Sequence, residues 1–323
     1  MTKIWTARSQ LFIIIHAIPM YANSLFCSAF GLLIHLSLGS ASGEWSYTNN
    51  DTKPEKWAEN FPHCDGIMQS PVHIVTSDTK LDLNLKPITI QLNGTNLEQQ
   101  TYTVANNGHS VQVTFPDNLW RVSLHGEAEG DFCAKQLHFH WGSDSINGSE
   151  HIIDGKQYSL EAHLVNYNCK MYRTYSEAST SPFGLAVLGF WGQHMSTVLA
   201  TVTMLNATVN ITAFNLTDLL SLVNPASYYR YAGSLTTPPC TPNVIWTIFT
   251  KVVPVSSEQL NLLRSLNFPS TESRTSMENN FRPVQMVSSA KSPLPRTIYR
   301  SASRVFLTNS FLIVICCLIR PFW

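Results

Sequence analysis

The chain has 323 residues, of which only 13% are charged, and its 21 basic side chains balance 21 acidic ones. That length accommodates one large domain with terminal signals, and a net charge of zero leaves no basic field to draw in nucleic acid. A small, neutral partner suits this balance better than a polyanion does.

In chain order, Lys3 and Arg8 come first, then two apolar runs, Leu11 to Pro19 and Leu25 to Leu38, and then small residues from Gly39 to Gly43. This basic, apolar, small-residue order predicts a secretory signal over residues 1–43. From 44 to 286 the sequence has no repeat, low-complexity block or linker, so it reads as one domain. Short runs of period-two character predict strands at Ile88 to Leu92, Ser110 to Phe115, Trp120 to Leu124, Gln136 to Trp141, Leu160 to Tyr167, Leu185 to Phe190 and Val244 to Val253. Helices are predicted at Asn215 to Leu222 and Ser256 to Leu266, each opened by a capping residue. The fold class is therefore mainly β (α+β), a sheet with short peripheral helices. Residues 287–304 lack periodicity and read as a spacer, and 305–323 read as a hydrophobic C-terminal anchor. Its apolar run, Val305 to Ile319, falls short of the roughly 20 residues that span a bilayer. With Ser288, Ser289 and Ala290 upstream, it looks rather more like a lipid-anchor signal than a membrane span.

Asn-x-Ser/Thr sequons at Asn50, Asn93, Asn147, Asn206, Asn210 and Asn215 agree with passage through a glycosylating compartment. Cys64, Cys133, Cys169 and Cys240 fall inside the domain, and four cysteines in an oxidising compartment suggest two bridges, with three connectivities open.

The chemistry centres on Gln136-Leu137-His138-Phe139-His140-Trp141. Two histidines two residues apart on a strand leave the same face. His163 sits on a second predicted strand, and antiparallel pairing of the two strands would bring three imidazoles to one point. Three neutral imidazoles leave the fourth tetrahedral position of Zn²⁺ open, as in a catalytic site. Gln136 and Glu161 each stand two residues before a histidine on the same face, placed to accept a hydrogen bond from its other ring nitrogen.

These stretches lie among others whose order and content resemble the α-carbonic anhydrases: Asn106 to Ser110, Gln136 to Gly142, Gly148 to His151, Glu161 to Val165, Ala186 to Gly189, Tyr229 to Cys240 and Asn279 to Gln285. The resemblance runs from about Trp45 to Gln285. Phe61-Pro62-His63-Cys64 together with Pro239-Cys240 resembles the extracellular, membrane-associated branch of that family.

The resemblance implies a large, twisted, mostly antiparallel sheet and reversible zinc-dependent hydration of carbon dioxide to bicarbonate, at the cell surface or in a secretory space. It implies His138, His140 and His163 as zinc ligands, supported by Gln136, Glu161 and Asn280. Thr236 would pass its proton to Glu150, and His109 would shuttle protons to solvent through water organised by Tyr47, Asn107 and Gln112. Val165, Val187, Leu235, Thr237 and Trp246 would form the pocket for carbon dioxide. It also pairs Cys64 with Cys240, leaving Cys133 for Cys169. The register that sets His138 against His163 brings those last two nearly opposite. Asn166 departs from the family, which often has histidine there, and Trp191 to Thr217 looks short and rich in sequons. A carbonic-anhydrase-like binding module of weak or no catalysis is the competing class; members of that kind typically lack one or more of the three histidines.

Overall fold

The computed structural model describes residues 44–94, 96–124, 130–194, 209–212, 214–268, 275–287 and 296–302. The predicted signal at 1–43, the apolar tail and Asn206 lie outside the described residues. Among them, no helix is long and apolar enough to cross a membrane.

Thirteen strands form one twisted sheet. Its main path runs Val209–Thr212, Thr101–Asn106, Val111–Thr114, Gly130–Trp141, Leu160–Asn168, Leu185–His194, Val244–Phe249, Tyr228–Gly233, Tyr299–Ser301 and Lys80–Asp82. Thr89–Leu92, Trp120–Leu124 and Val253–Val255 pair alongside. Most pairings are antiparallel; Leu185–His194 is parallel to Val244–Phe249 and Val253–Val255, and Tyr299–Ser301 is parallel to Lys80–Asp82. The helices are short and peripheral, as expected. Leu216–Ser221 is capped by Asn215, and Ser257–Arg264 opens with a capping box in which Ser256 and Gln259 satisfy each other's backbone N–H.

Alternation along the strands separates two cores. Leu137, Trp141, Leu160, Leu164, Ala186, Leu188, Phe190 and Phe249 pack on one face of the sheet. Val165, Tyr167, Leu185, Val187, Trp191, Trp246 and Ile248 pack on the other. On Gly130–Trp141 and Leu160–Asn168 that second face also presents Gln136, His138, His140, Glu161 and His163. The three candidate ligands thus sit on a floor whose underside is sealed by aromatic and aliphatic side chains, and a strand slip would carry all of them into that core.

Both expected bridges are formed, Cys64–Cys240 and Cys133–Cys169. The second is diagonal: a bulge between Ala134 and Gln136 shifts the register so that Cys133 faces Tyr167, two residues before Cys169.

Two regions differ from the sequence reading. Val244 to Val253 is two strands, because the chain turns at Thr250, whose N–H bonds the Ser227 carbonyl. The segment read as a spacer supplies a strand, Tyr299–Ser301, and buries Ile298. Its three residues are too few for a period to register, and its partners are far away in sequence.

Candidate metal centre

His138 and His163 face each other directly across the strand pair, and His140 faces Glu161. The three ring centroids lie 4.6 to 5.2 Å apart. Each ring has one nitrogen tied to an acceptor. His138 Nδ1 meets Gln136 Oε1 at 2.7 Å, His140 Nδ1 meets the Asn280 carbonyl at 2.7 Å, and His163 Nε2 meets Glu161 Oε1 at 2.8 Å. Those partners only accept, so these nitrogens carry the protons. Burial, reinforced by the neighbouring rings, holds His138 well below the ordinary imidazole range and keeps His140 below it. In neutral rings the remaining nitrogens, His138 Nε2, His140 Nε2 and His163 Nδ1, therefore carry lone pairs.

Those three histidines can present ligand atoms within 4.8 Å of one another, and His140 Nε2 is 3.1 Å from His163 Nδ1. With both protons committed elsewhere, that last contact sets lone pair against lone pair in a buried site. A divalent cation with imidazole ligands resolves the conflict, so the donor set fits zinc.

Glu161 holds the arrangement from behind. Its carboxylate accepts from the backbone N–H of Glu150 and His151, at 2.9 and 2.8 Å, and from the rings of His151 and His163. Burial pushes this carboxyl up, yet the two imidazoles and their hydrogen bonds outweigh it and hold Glu161 well below the usual carboxylate range. His151, Glu161 and His163 also form a compact trio, but with every Glu161 contact spent on N–H donors it serves as a buttress. Gly189 makes room for it: a Cβ there would come 2.6 Å from Ile248 Cδ1 and 3.3 Å from Glu161 Oε1.

Glu150 arrives on a loop from the end of Gly130–Trp141. Gly148 lets that loop press in, since a Cβ would fall 2.0 Å from the Ser159 carbonyl oxygen. Glu150 Oε1 accepts the Arg282 backbone N–H at 2.8 Å, whereas Oε2 is buried with no hydrogen-bond partner. That orphaned oxygen lies 3.5 Å from His140 Nε2 and 3.8 Å from His163 Nδ1. The sequence reading linked Glu150 to Thr236; here the carboxylate faces the imidazoles, and no hydrogen bond joins it to the Thr236 hydroxyl.

Thr236 lines a cavity of about 230 Å³ together with His138, His163, Gln136 and all five expected pocket residues, Val165, Val187, Leu235, Thr237 and Trp246. The sequence reading missed the opposite wall, Tyr175, Ser179, Thr180 and Thr241. The Tyr175–Ser179 helix is too short to show a period, and Asn243 Nδ2 pins it by donating to the carbonyls of Ala178, Ser179 and Ser181.

His109 stands apart from this cavity. Its ring stacks on Trp45 with centroids 3.7 Å apart, and burial lowers its pKa. Asn280 connects it to the centre: its carbonyl holds His140, its Oδ1 accepts the Trp141 N–H, and its Nδ2 donates to the His109 carbonyl. Nearby, Asn107 donates to Gln112 at 3.2 Å, and Tyr47 is buried, its pKa raised well above the ordinary phenol value by burial and by the Glu150 charge. Asn166, where the family often has histidine, is buried and donates to the carbonyls of Leu164 and Ala186.

Comparison with known proteins places these residues in context. The model of the eukaryotic-type carbonic anhydrases matches residues 52–291. Carbonic anhydrase 7 of Homo sapiens is 37% identical over 254 residues, covering 75% of this chain and 93% of its own, with the same figures for carbonic anhydrase 7 of Mus musculus. Carbonic anhydrase 12 of Homo sapiens is 34% identical over 306 residues, covering 88% of this chain and 82% of its own.

Proposed function

Because the chain belongs to the eukaryotic-type carbonic anhydrase family, we propose that it is an active, zinc-dependent member, hydrating carbon dioxide reversibly to bicarbonate and a proton. The observation that carries this reading is the convergence of His138 Nε2, His140 Nε2 and His163 Nδ1 with their other ring nitrogens committed.

Zinc held there supplies a Lewis acid that lowers the pKa of a coordinated water, making a nucleophile near neutral pH. Gln136, the Asn280 carbonyl and Glu161 orient the three ligands and fix their tautomers. Val165, Val187, Leu235 and Trp246 give carbon dioxide an apolar wall beside the ligands and exclude competing water. Thr236 and Thr237 offer hydroxyls on the same cavity. Glu150 Oε2, the buried acceptor without a donor, lies 3.5 Å from His140 Nε2 and 3.8 Å from His163 Nδ1, where it would accept a proton from a group held among the ligands. His109, whose pKa burial lowers, carries the proton released in each turnover to bulk solvent as an imidazole that both accepts and gives up protons.

The same reading places the protein in the secretory pathway and at the extracellular face of the plasma membrane, with residues 1–43 as signal, 44–286 as the enzyme and the tail beyond Val305 as an anchor, either lipid-exchanged or retained. Two disulfides and exposed sequon asparagines at Asn50, Asn93 and Asn147 support that placement. The test is zinc content and carbon dioxide hydration on the purified protein, before and after chelation and after zinc is restored. Stoichiometric zinc with activity that follows it is expected. A folded protein that binds zinc but does not turn over carbon dioxide would instead be a binding module.

A further inference from the structure

Tyr299–Ser301 is the last strand among the described residues. Tyr299–Ser301 is inserted between Tyr228–Gly233 and the edge strand Lys80–Asp82, with Arg300 beside Leu81 and Ser301 beside Asp82. Its Ser301 hydroxyl accepts the Tyr228 N–H and shares its one proton between the carbonyls of Ala226 and Tyr228. A lipid exchanged for the tail at Ser288 to Ala290 would strip this strand from between its neighbours. A retained apolar tail leaves the strand in place, and it is this form of the anchor that bears on the neighbouring edge.

The end of Tyr299–Ser301 lies beside two exposed leucines, one on the edge strand and one in the turn after it. Leu81 is 49% exposed and Leu83 68% exposed, although each is a side chain that burial would stabilise. Lys80, Lys86 and Arg300 are exposed around them. The facing acids are Asp78, which is exposed, and Asp82, which is half-buried and accepts the Asn84 N–H. Only two residues, Ser303 and Arg304, separate Ala302 from Val305, where the apolar run begins. Fully extended, the three steps from Ala302 to Val305 span about 11 Å. A bilayer holding that run must therefore come within about 11 Å of this edge, and exposed leucines with basic side chains on the same and the adjoining strand are a composition that settles at the lipid interface.

Resting on the membrane-anchor reading above, we propose that the edge carrying Leu81, Leu83, Lys80, Lys86 and Arg300 is the surface that lies on the phospholipid bilayer. The leucines enter the headgroup boundary and the three cations sit at the level of the phosphates. Five strand spacings, roughly 24 Å, separate this edge from the strand bearing His163.

The full-length protein, with Cys27, Cys316 and Cys317 replaced by serine, is reconstituted in phosphatidylcholine–phosphatidylserine vesicles. An environment-sensitive fluorophore is placed at Leu83→Cys or, as a control, at Phe183→Cys. Phe183 is equally exposed, at 68%, but sits four strands from that edge. Nitroxide-labelled lipids should quench the label at 83 several-fold more than the label at 183. Equal quenching in protein that floats with the vesicles overturns the proposed orientation and spares the anchor. Protein that fails to float with the vesicles overturns the anchor reading and this proposal with it.

Discussion

The middle of the sheet and its Lys80–Asp82 edge are built from the same backbone geometry and differ in everything else. In the middle, Gly130–Trp141 pairs with Leu160–Asn168 over nine residue pairs, one face is sealed by the larger core, and each imidazole has its own acceptor. At the edge, three residues pair on one side only, and leucines stand in water. Positional accuracy of the kind a metal needs accumulates where a strand is covered on both faces and paired on both sides. Where covering is absent, the chain keeps only enough order to hold its place.

The sharpest way to break this contrast is from the middle. His138→Ala removes one ligand without touching the Glu161 network, and it should take zinc binding and carbon dioxide hydration to background while far-ultraviolet circular dichroism is unchanged. Retained stoichiometric zinc would count against the ligand set. At the other end of the sheet, Ile298→Asp places a carboxylate at a site 8% exposed and should cost about 2–5 kcal/mol in denaturant unfolding. Zinc affinity of the folded fraction should change far less, because Ile298, though in the same apolar cluster as Val165, Val187 and Trp246, precedes a strand four places from the one bearing His163.

Glu161→Gln keeps the shape but leaves an amide facing four N–H donors. Zinc affinity, measured by chelator competition, should fall about 10–100-fold; an unchanged affinity would mean that the buttress is dispensable. The smallest effect lies at the rim. Burial holds His109 below its ordinary pKa of 6.5, so the neutral, proton-accepting ring persists below pH 6.5. Trp45→Ala exposes the ring and should move the acid limb of the turnover profile up towards that value. A limb that stays in place would detach His109 from the rate.

The same contrast explains what could be read in advance. Gln136 to Trp141 and Leu160 to Tyr167 were legible because half-buried strands alternate, and the histidines fell on one face of that alternation. The disulfide between Cys133 and Cys169 followed from the same register, apart from a bulge that made it diagonal. Lys80–Asp82 and Tyr299–Ser301 were not legible: three residues carry no period, and each strand exists because a distant one accepts its hydrogen bonds. Nor was the Tyr175–Ser179 wall, whose position depends on hydrogen bonds from Asn243, some 65 positions later in the chain. Glu150 could be chosen by its motif, but the direction of its second oxygen depends on packing by Arg282 and the imidazoles, which no local pattern encodes.

The insertion of Tyr299–Ser301 beside Lys80–Asp82 also sets an order of assembly. A segment near residue 80 waits, unpaired on that side, until one some 220 positions later has been made and delivered. The histidine-bearing strands, only about 25 positions apart, can join long before then. The catalytic floor can therefore form early during synthesis, and this margin closes last.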